Sequence, residues 1–388
     1  MTLPVLSAAT TNPVLTAPAI PSELDALYAF LIAAAVAVVL TPLTMRLARR
    51  VGAIDQPRER GLSDRETPRL GGLAIFAAAA IAGTIWLRHI PARVDGQPVG
   101  WHWGGLVAAM ALITLVGALD DRFDFPPAVK LLGQIAAAVV AVALGGVTIH
   151  YITVPIFGRL NFPNAGPSIT AFGLVAMMNV VNFSDGVDGL AAGVCGIDAV
   201  AFGVIAFTLA GSQHFGGVLA AVTAGAALGF LFHNFPPASS FMGDAGSNLL
   251  GLLMGTVAVE GDLKTSAVVT LALPLILLAV PFLDTTFVVL KRLKYRRPVY
   301  RADQEHFHHR MARIGFSVRR SVLIFYGWTL MLAGYAVALR FIHYSDGHGH
   351  LHAPGTALVA GLGLVVIAAS IYLIYVLEIL KFNRRSRR

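Results

Sequence analysis

The chain has 388 residues, 56% of them hydrophobic and only 13% charged, with a mean hydropathy of +0.72. A soluble domain carries about 25% charged residues, so an ordinary water-soluble globule is excluded. The formal charge of +8 does not mark a nucleic-acid binder, because the basic residues sit in short connections between apolar runs, where the positive-inside rule explains them.

Residues 1–24 are rich in Thr, Ala and Pro and carry no basic stretch ahead of their first apolar segment. They make a poor signal peptide and are expected to form a disordered tail. Apolar runs long enough to cross a hydrocarbon core of roughly 30 Å then recur along the chain. Eleven spans are expected, near 25–47, 70–90, 103–120, 129–147, 168–182, 190–210, 215–234, 246–260, 266–290, 321–342 and 357–380. Backbone groups in lipid must be satisfied within a segment, so these are helices. The fold class is all-α integral membrane: one polytopic domain over 25–381 and a basic tail over 382–388. Between the fourth and fifth spans, the β-branched residues around Pro155-Ile-Phe-Gly158 predict a short external hairpin.

Lys and Arg set the orientation. If the connection after the first span is cytoplasmic, 24 of the 29 basic residues fall on that side. The N-terminus is then outside and the C-terminus inside. No internal repeat of the transporter kind is found. Cys195 is the only cysteine, so no intramolecular disulfide is possible. Pairing of two copies through a span surface is an expectation from the commonness of homo-oligomers.

Five polar clusters fall at cytoplasmic ends of spans in this topology, and Asp284, deep in the ninth span, is the expected exception among the acids. The first cluster runs from Asp55 to Gly72, a basic loop closed by two glycines that allow close backbone approach. The second is Asp120-Asp121-Arg-Phe-Asp124 followed by Lys130. Paired carboxylates at an apolar helix end are costly, and suit either metal binding or general-base work. The third packs Asn179, Asn182, Asp185 and Asp188 into ten residues. If that stretch is helical, residues three apart share a face; its glycines instead favour a turn.

The fourth cluster, Phe241-Met-Gly-Asp244-Ala-Gly-Ser247, places a lone acid at the start of the eighth span. It reads either as an N-terminal cap or as a hard-oxygen ligand for Mg²⁺. The fifth is Asp303-Gln-Glu-His306-Phe-His308-His309-Arg310 in a very basic loop, suited to a pyrophosphate. A zinc site is the weaker reading, because no cysteine accompanies the histidines. His343, His348, His350 and His352 fall on the opposite side and take no part. Together the clusters describe a cytoplasmic-facing, Mg²⁺-dependent site for phosphorylated ligands, one of them a lipid.

In this order and spacing, five motifs resemble those of the polyprenyl-phosphate N-acetylhexosamine-1-phosphate transferases. They are Thr67-Pro-Arg-Leu-Gly-Gly, Asp120-Asp121, Asn182-Phe-Ser-Asp185-Gly-Val-Asp188-Gly-Leu, Phe241-Met-Gly-Asp244-Ala-Gly-Ser and His306-Phe-His308-His309. The branch resembled is the one typified by WecA and TagO; MraY, the phospho-N-acetylmuramoyl-pentapeptide transferase, is a more distant relative. The resemblance implies transfer of a sugar 1-phosphate, GlcNAc-1-phosphate above all, from a UDP-sugar to undecaprenyl phosphate at the bacterial inner membrane, with release of UMP. It implies Mg²⁺, with Mn²⁺ as substitute, held by Asp244 and Asn182. Asp120 and Asp121 become essential acids, with Asp120 a base toward the lipid phosphate, and Lys130 a phosphate contact. Phe241 stacks on uracil, and Asp185 and Asp188 bind substrate, Asp188 through the uridine. His306, His308, His309 and Arg310 engage pyrophosphate or sugar. The first motif departs from the family pattern, with Gly61, Ser63 and Glu66 where two basic residues and a proline are usual; Arg60, Arg65 or Arg69 would have to compensate.

Two rival classes fit less well. A transporter would carry acids at mid-span along a path through the bilayer. A CDP-alcohol phosphotransferase needs an arginine and two later aspartates after its Asp-Gly, which Asp188-Gly-Leu-Ala-Ala-Gly lacks.

Overall fold

A computed structural model describes residues 22–56, 66–89, 92–94, 97–99, 102–149, 151–154, 158–208, 214–260, 317–342, 344 and 352–376. Its helices are α1 (Glu23–Val51), α2 (Gly71–Trp86), α3 (His102–Phe123), α4 (Pro127–Ala143), α5 (Gly166–Ser184), α6 (Leu190–Thr208), α7 (His214–Asn234), α8 (Gly243–Glu260), α9 (Val318–Phe341) and α10 (Ala353–Val376). Seven of them, α1, α3, α5, α6, α7, α9 and α10, are long and apolar enough to cross a membrane, and α2 and α4 are shorter apolar helices. The chain is a multi-pass membrane protein. Each expected span overlaps one of these helices except the ninth, 266–290, which lies outside the described residues together with Asp284.

Local sequence explains the helix ends. Ser22 caps α1 in a reciprocal box with Asp25, which satisfies orphan N-terminal donors. Gly52, at φ +76°, closes the other end as only glycine does without strain. α4 starts on Pro126-Pro127, where a missing N–H costs nothing.

Small residues explain the packing. Water does not drive helix association within lipid, so close van der Waals approach must. α1 buries Ala26, Ala29, Ala33 and Ala37 in one stripe. The facing helix α7 presents Gly225 and Gly229, where an added Cβ would stand 2.2 Å from Phe30 O and 2.4 Å from Ala34 O. α8 is buried from Ala245 to Val257 and forms the core that α2, α3, α5, α6 and α7 surround. α10, by contrast, exposes Leu358, Leu364, Val365, Ile367 and Ile371.

Among the described residues, three short antiparallel pairs interrupt the helices. β1 (Ile54–Asp55) pairs with β2 (Thr67–Pro68), and β3 (Ala92–Val94) with β4 (Gln97–Val99). β5 (Tyr151–Val154) pairs with β6 (Gly158–Asn161) in the register Tyr151 to Asn161 and Val154 to Gly158. The β3–β4 pair escaped the sequence reading, although Asp95-Gly96 between the strands is a strong hairpin signal.

One expectation is corrected. Asp284 is not the sole acid away from the cluster, because Asp198 is fully buried within α6. Among the described residues, neither of its carboxylate oxygens has a hydrogen-bond partner. The long apolar run around Gly196-Ile-Asp198-Ala hid it.

Glycine also sets the seat of α8. A Cβ on Gly72 would lie 2.2 Å from Gly246 N, and one on Gly117 would lie 2.4 Å from Ala245 Cα. These contacts are with backbone, which cannot rotate away. Overpacking typically costs about 1–3 kcal/mol. Gly72→Val is therefore expected to lower the unfolding temperature in detergent clearly, whereas Gly104→Ala, where an added Cβ meets nothing within 4 Å, leaves it nearly unchanged. Differential scanning fluorimetry of the two variants checks this.

Candidate active site

Four helix ends converge. The C-terminal turn of α3 carries Asp120 and Asp121, and the first turn of α4 carries Lys130. The last turn of α5 carries Asn182, and the first turn of α8 carries Asp244. The short Asp124–Pro126 link brings Lys130 back beside Asp120, with Asp124 at φ +52° and the Phe125 amide donating to Asp120 Oδ1 at 2.7 Å.

Lys130 is the centre of the cluster. Its Nζ lies 2.6 Å from Asp120 Oδ2 and 2.9 Å from Asp244 Oδ2. The Asp120 side chain is only 5% exposed, against 24% for Asp244 and 32% for Lys130. The carboxylate buried deepest is therefore also the one closest to the ammonium, as burial of charge requires. On the other side of Asp244, Asn182 Nδ2 donates to Oδ1 at 3.0 Å and to Ser247 Oγ at 2.9 Å. Both Asp244 oxygens are thus oriented, one by an ammonium and one by an amide.

Asp121 takes a different part. Its Oδ1 accepts from the Asp244 amide at 2.9 Å and its Oδ2 from the Ala245 amide at 3.2 Å. An acid of α3 thereby caps α8, filling orphan donors at that helix's N-terminus. Asp244 sits in the first turn of α8, where the helix dipole favours an acid, and its side chain accepts from Lys130 and Asn182. Gly243, at φ +67°, makes the cap possible, since a Cβ there would stand 2.2 Å from Asp121 Oδ2 and 2.4 Å from Arg69 O.

The β2–α2 connection supports the same helix start. Phe241 N donates to Pro68 O at 2.8 Å, Gly71 N to Phe241 O at 3.0 Å and Gly72 N to Met242 O at 2.9 Å. These bonds fix the backbone on both sides of Phe241, which is half-buried. Arg69 is ion-paired with Asp55, across the β1–β2 pair.

The third cluster splits between helix and turn. Asn179 and Asn182 lie on α5; Asp185 is its C-cap, and Asp188 lies in the turn before α6. Asp188 Oδ2 accepts from the Ala238 amide at 2.9 Å. Gly189, at φ +75°, donates its N–H to Asn234 Oδ1 at 2.9 Å and accepts at its carbonyl from the Tyr326 hydroxyl at 2.5 Å. Burial raises the Asp188 carboxyl above its ordinary value, opposed by the Ala238 amide. Asp185 is raised well above the usual range, by burial first and then by the charges of Asp244, Asp121 and Asp188.

The geometry brings together Asp120, Asp121, Lys130, Asn182 and Asp244, with Asp185 within electrostatic reach. Phe241 is joined to them through the backbone leading into α8, and Asp188 lies in the adjoining α5–α6 turn. His306, His308, His309 and Arg310 lie outside the described residues, as do residues 57–65 of the first cluster. Sequence reasoning assigned no role to Ser247, although its spacing from Asp244 places it on the same helix face. Among the described residues no three His, Cys, Asp or Glu side chains form a metal-ligating group.

Residues 103–262, which include this cluster, match the family described as glycosyl transferase family 4. Three relatives are similar over most of their length. The probable undecaprenyl-phosphate N-acetylglucosaminyl 1-phosphate transferase of Bacillus subtilis is 33% identical, over 77% of this chain and 80% of that protein. The decaprenyl-phosphate N-acetylglucosaminephosphotransferase of Mycolicibacterium smegmatis is 36% identical, over 82% and 81%. The phospho-N-acetylmuramoyl-pentapeptide-transferase of Desulforudis audaxviator is 32% identical, over 81% and 96%. The chain belongs to glycosyl transferase family 4, in its polyprenyl-phosphate N-acetylhexosamine-1-phosphate transferase branch.

Loss of a helix cap costs about 0.5–2 kcal/mol. Asp121→Ala is expected to lower the unfolding midpoint in detergent by that order, and Asp121→Asn, which keeps one acceptor oxygen, by less. Equal midpoints for the two variants and the parent would remove the capping role.

Proposed function

We propose that the protein transfers N-acetylglucosamine 1-phosphate from UDP-GlcNAc to undecaprenyl phosphate, releasing UMP, at the cytoplasmic face of a bacterial inner membrane. The names of the relatives from B. subtilis and M. smegmatis support this reading. The observation that carries it is the cluster in which Lys130 bridges Asp120 and Asp244 while Asn182 holds the far oxygen of Asp244. The basic connections after α1 and around 291–320 support the cytoplasmic placement by the positive-inside rule.

The chemistry balances without an outside energy source. A lipid phosphate oxygen attacks the β-phosphorus of the sugar nucleotide. The bond from that phosphorus to the bridging oxygen breaks, and UMP leaves with the electron pair. One phosphoanhydride is lost and one is made.

The donor set suits a hard divalent cation. Asp244, Asp120 and the Ser247 hydroxyl are oxygen donors, and Asn182, whose amide nitrogen faces Asp244 and Ser247, would offer its amide oxygen to a cation by turning its amide over. Mg²⁺ is characteristically bound through one or two carboxylates together with substrate phosphates rather than by an all-protein cage. Asp244 and Asn182 would hold it, Mn²⁺ substituting, and when bound it would neutralise the phosphates as they approach.

The chain's own residues do the rest. Asp120, held next to Lys130, accepts the proton of a monoprotonated lipid phosphate. Lys130 turns its ammonium from the carboxylates to phosphate oxygens as charge shifts toward the leaving UMP. Asp185, biased toward its neutral form, can donate a hydrogen bond where a carboxylate would repel. Phe241 would offer a ring for uracil, and Asp188 would help hold the uridine. His306, His308, His309 and Arg310 supply cationic donors for the pyrophosphate.

The purified protein in detergent is expected to release UMP only when UDP-GlcNAc, undecaprenyl phosphate and Mg²⁺ are all present, and Asp244→Ala to reduce turnover to background with the fold retained. Release from UDP-N-acetylmuramoyl-pentapeptide but not from UDP-GlcNAc would shift the donor to the muropeptide nucleotide. Phe241→Ala is expected to raise the apparent KM for nucleotide several-fold more than that for lipid. Equal effects on the two substrates would argue against stacking on uracil.

A further inference from the structure

One helical turn below the catalytic cluster lies a second layer of side chains from three of the same four helices. Gln134 is four residues after Lys130 on α4, Asn248 is four residues after Asp244 on α8, and Asn179 is three before Asn182 on α5. Gln134 Nε2 donates to Asn248 Oδ1 at 2.8 Å, and Asn179 Nδ2 donates to Gln134 Oε1 at 2.8 Å. Asn248 Nδ2 in turn donates to the Asp244 carbonyl at 2.8 Å. Gln134 and Asn248 are both buried, at 4% exposure each.

The two layers repeat one arrangement. In each, a residue of α4 meets a residue of α8, and a residue of α5 completes the group. Residues four apart on a helix lie nearly one above the other, so the amide layer fixes the same helix phases that the charged layer needs. Two buried amides and a half-buried one between membrane helices are costly unless hydrogen-bonded, and an apolar layer would pack these helices as well. What an apolar layer lacks is direction. Leucines tolerate rotation and sliding of one helix on another; a run of hydrogen-bonded amides does not.

We propose that Gln134 and Asn248 are positioning residues for the transfer. Through one another they lock α4 against α8, so that Lys130, Asp244 and Asn182 meet at the observed distances. The inference rests on the proposed function for its kinetic readout and on geometry for the rest. It separates from a merely structural role because replacing both partners of a buried hydrogen bond by apolar groups of similar shape is nearly neutral for stability. Asn179 would keep its bond to the Val175 carbonyl at 2.8 Å, so the double replacement leaves its donor satisfied.

The test is the double variant Gln134→Leu, Asn248→Leu, beside the exchange variant Gln134→Asn, Asn248→Gln, which retains a donor and an acceptor on the same layer. The double leucine variant is expected to unfold near the parent temperature while kcat falls about 10–100-fold, the range typical of groups that orient metal ligands, with both KM values within about twofold. Its Mn²⁺ affinity, followed by electron paramagnetic resonance titration without substrates, is expected to weaken by a similar factor. The exchange variant should recover most of both losses. Parent-like kcat and Mn²⁺ affinity in the double leucine variant would overturn the proposal, as would losses that merely track the fraction unfolded. If the parent itself releases no UMP, the proposed function falls, and the Mn²⁺ titration alone decides the ladder, unchanged or undetectable binding counting against it.

Discussion

The site depends on one ammonium shared between two carboxylates. Asp120 and Asp244 come from helices far apart in sequence, and Lys130, ion-paired to both, offsets the repulsion between them. Charges partly withdrawn from water are tolerable only when paired and hydrogen-bonded. The convergence of α3, α4 and α8 therefore has an electrostatic condition as well as a packing one. Under the proposed function, the negative charge of the pair of carboxylates would receive a cation, and an arriving phosphate would give the ammonium a new partner.

α8 is where these requirements meet. Its N-terminus is capped from α3 by Asp121, its preceding backbone is hydrogen-bonded to the segment leading into α2, and glycines of α2 and α3 touch its first turn directly. Asp244 is held by its surroundings rather than by its own helix. An exposed loop could not hold a carboxylate at hydrogen-bond distance from both a lysine and an amide of two other helices; the buried first turn of a central helix can.

Much of this was legible in the sequence. Hydropathy located the helices, because lipid leaves the backbone few alternatives, and the acidic motifs at helix ends marked the site. The β5–β6 pairing was visible in β-branched residues around a turn. What was hidden depended on three-dimensional phase. Asp121 looks equivalent to Asp120 in the pair Asp120-Asp121, yet neighbours on a helix point about 100° apart, and one reaches Lys130 while the other caps α8. Gln134 and Asn248 are single amides in apolar runs, and nothing along the chain shows that they meet. Asp198 was overlooked for the same reason, since one acid scarcely changes the hydropathy of a long run.

The two-layer ladder gives the chain an uneven tolerance for changes of length. Connections between helices can gain residues at small entropic cost. Between Lys130 and Gln134, or between Asp244 and Asn248, a single inserted residue would turn everything beyond it by about 100° and advance it by about 1.5 Å. One layer could then stay in register only if the other let go. Over those few residues the count itself, more than the identity of the intervening side chains, holds the meeting of the three helices.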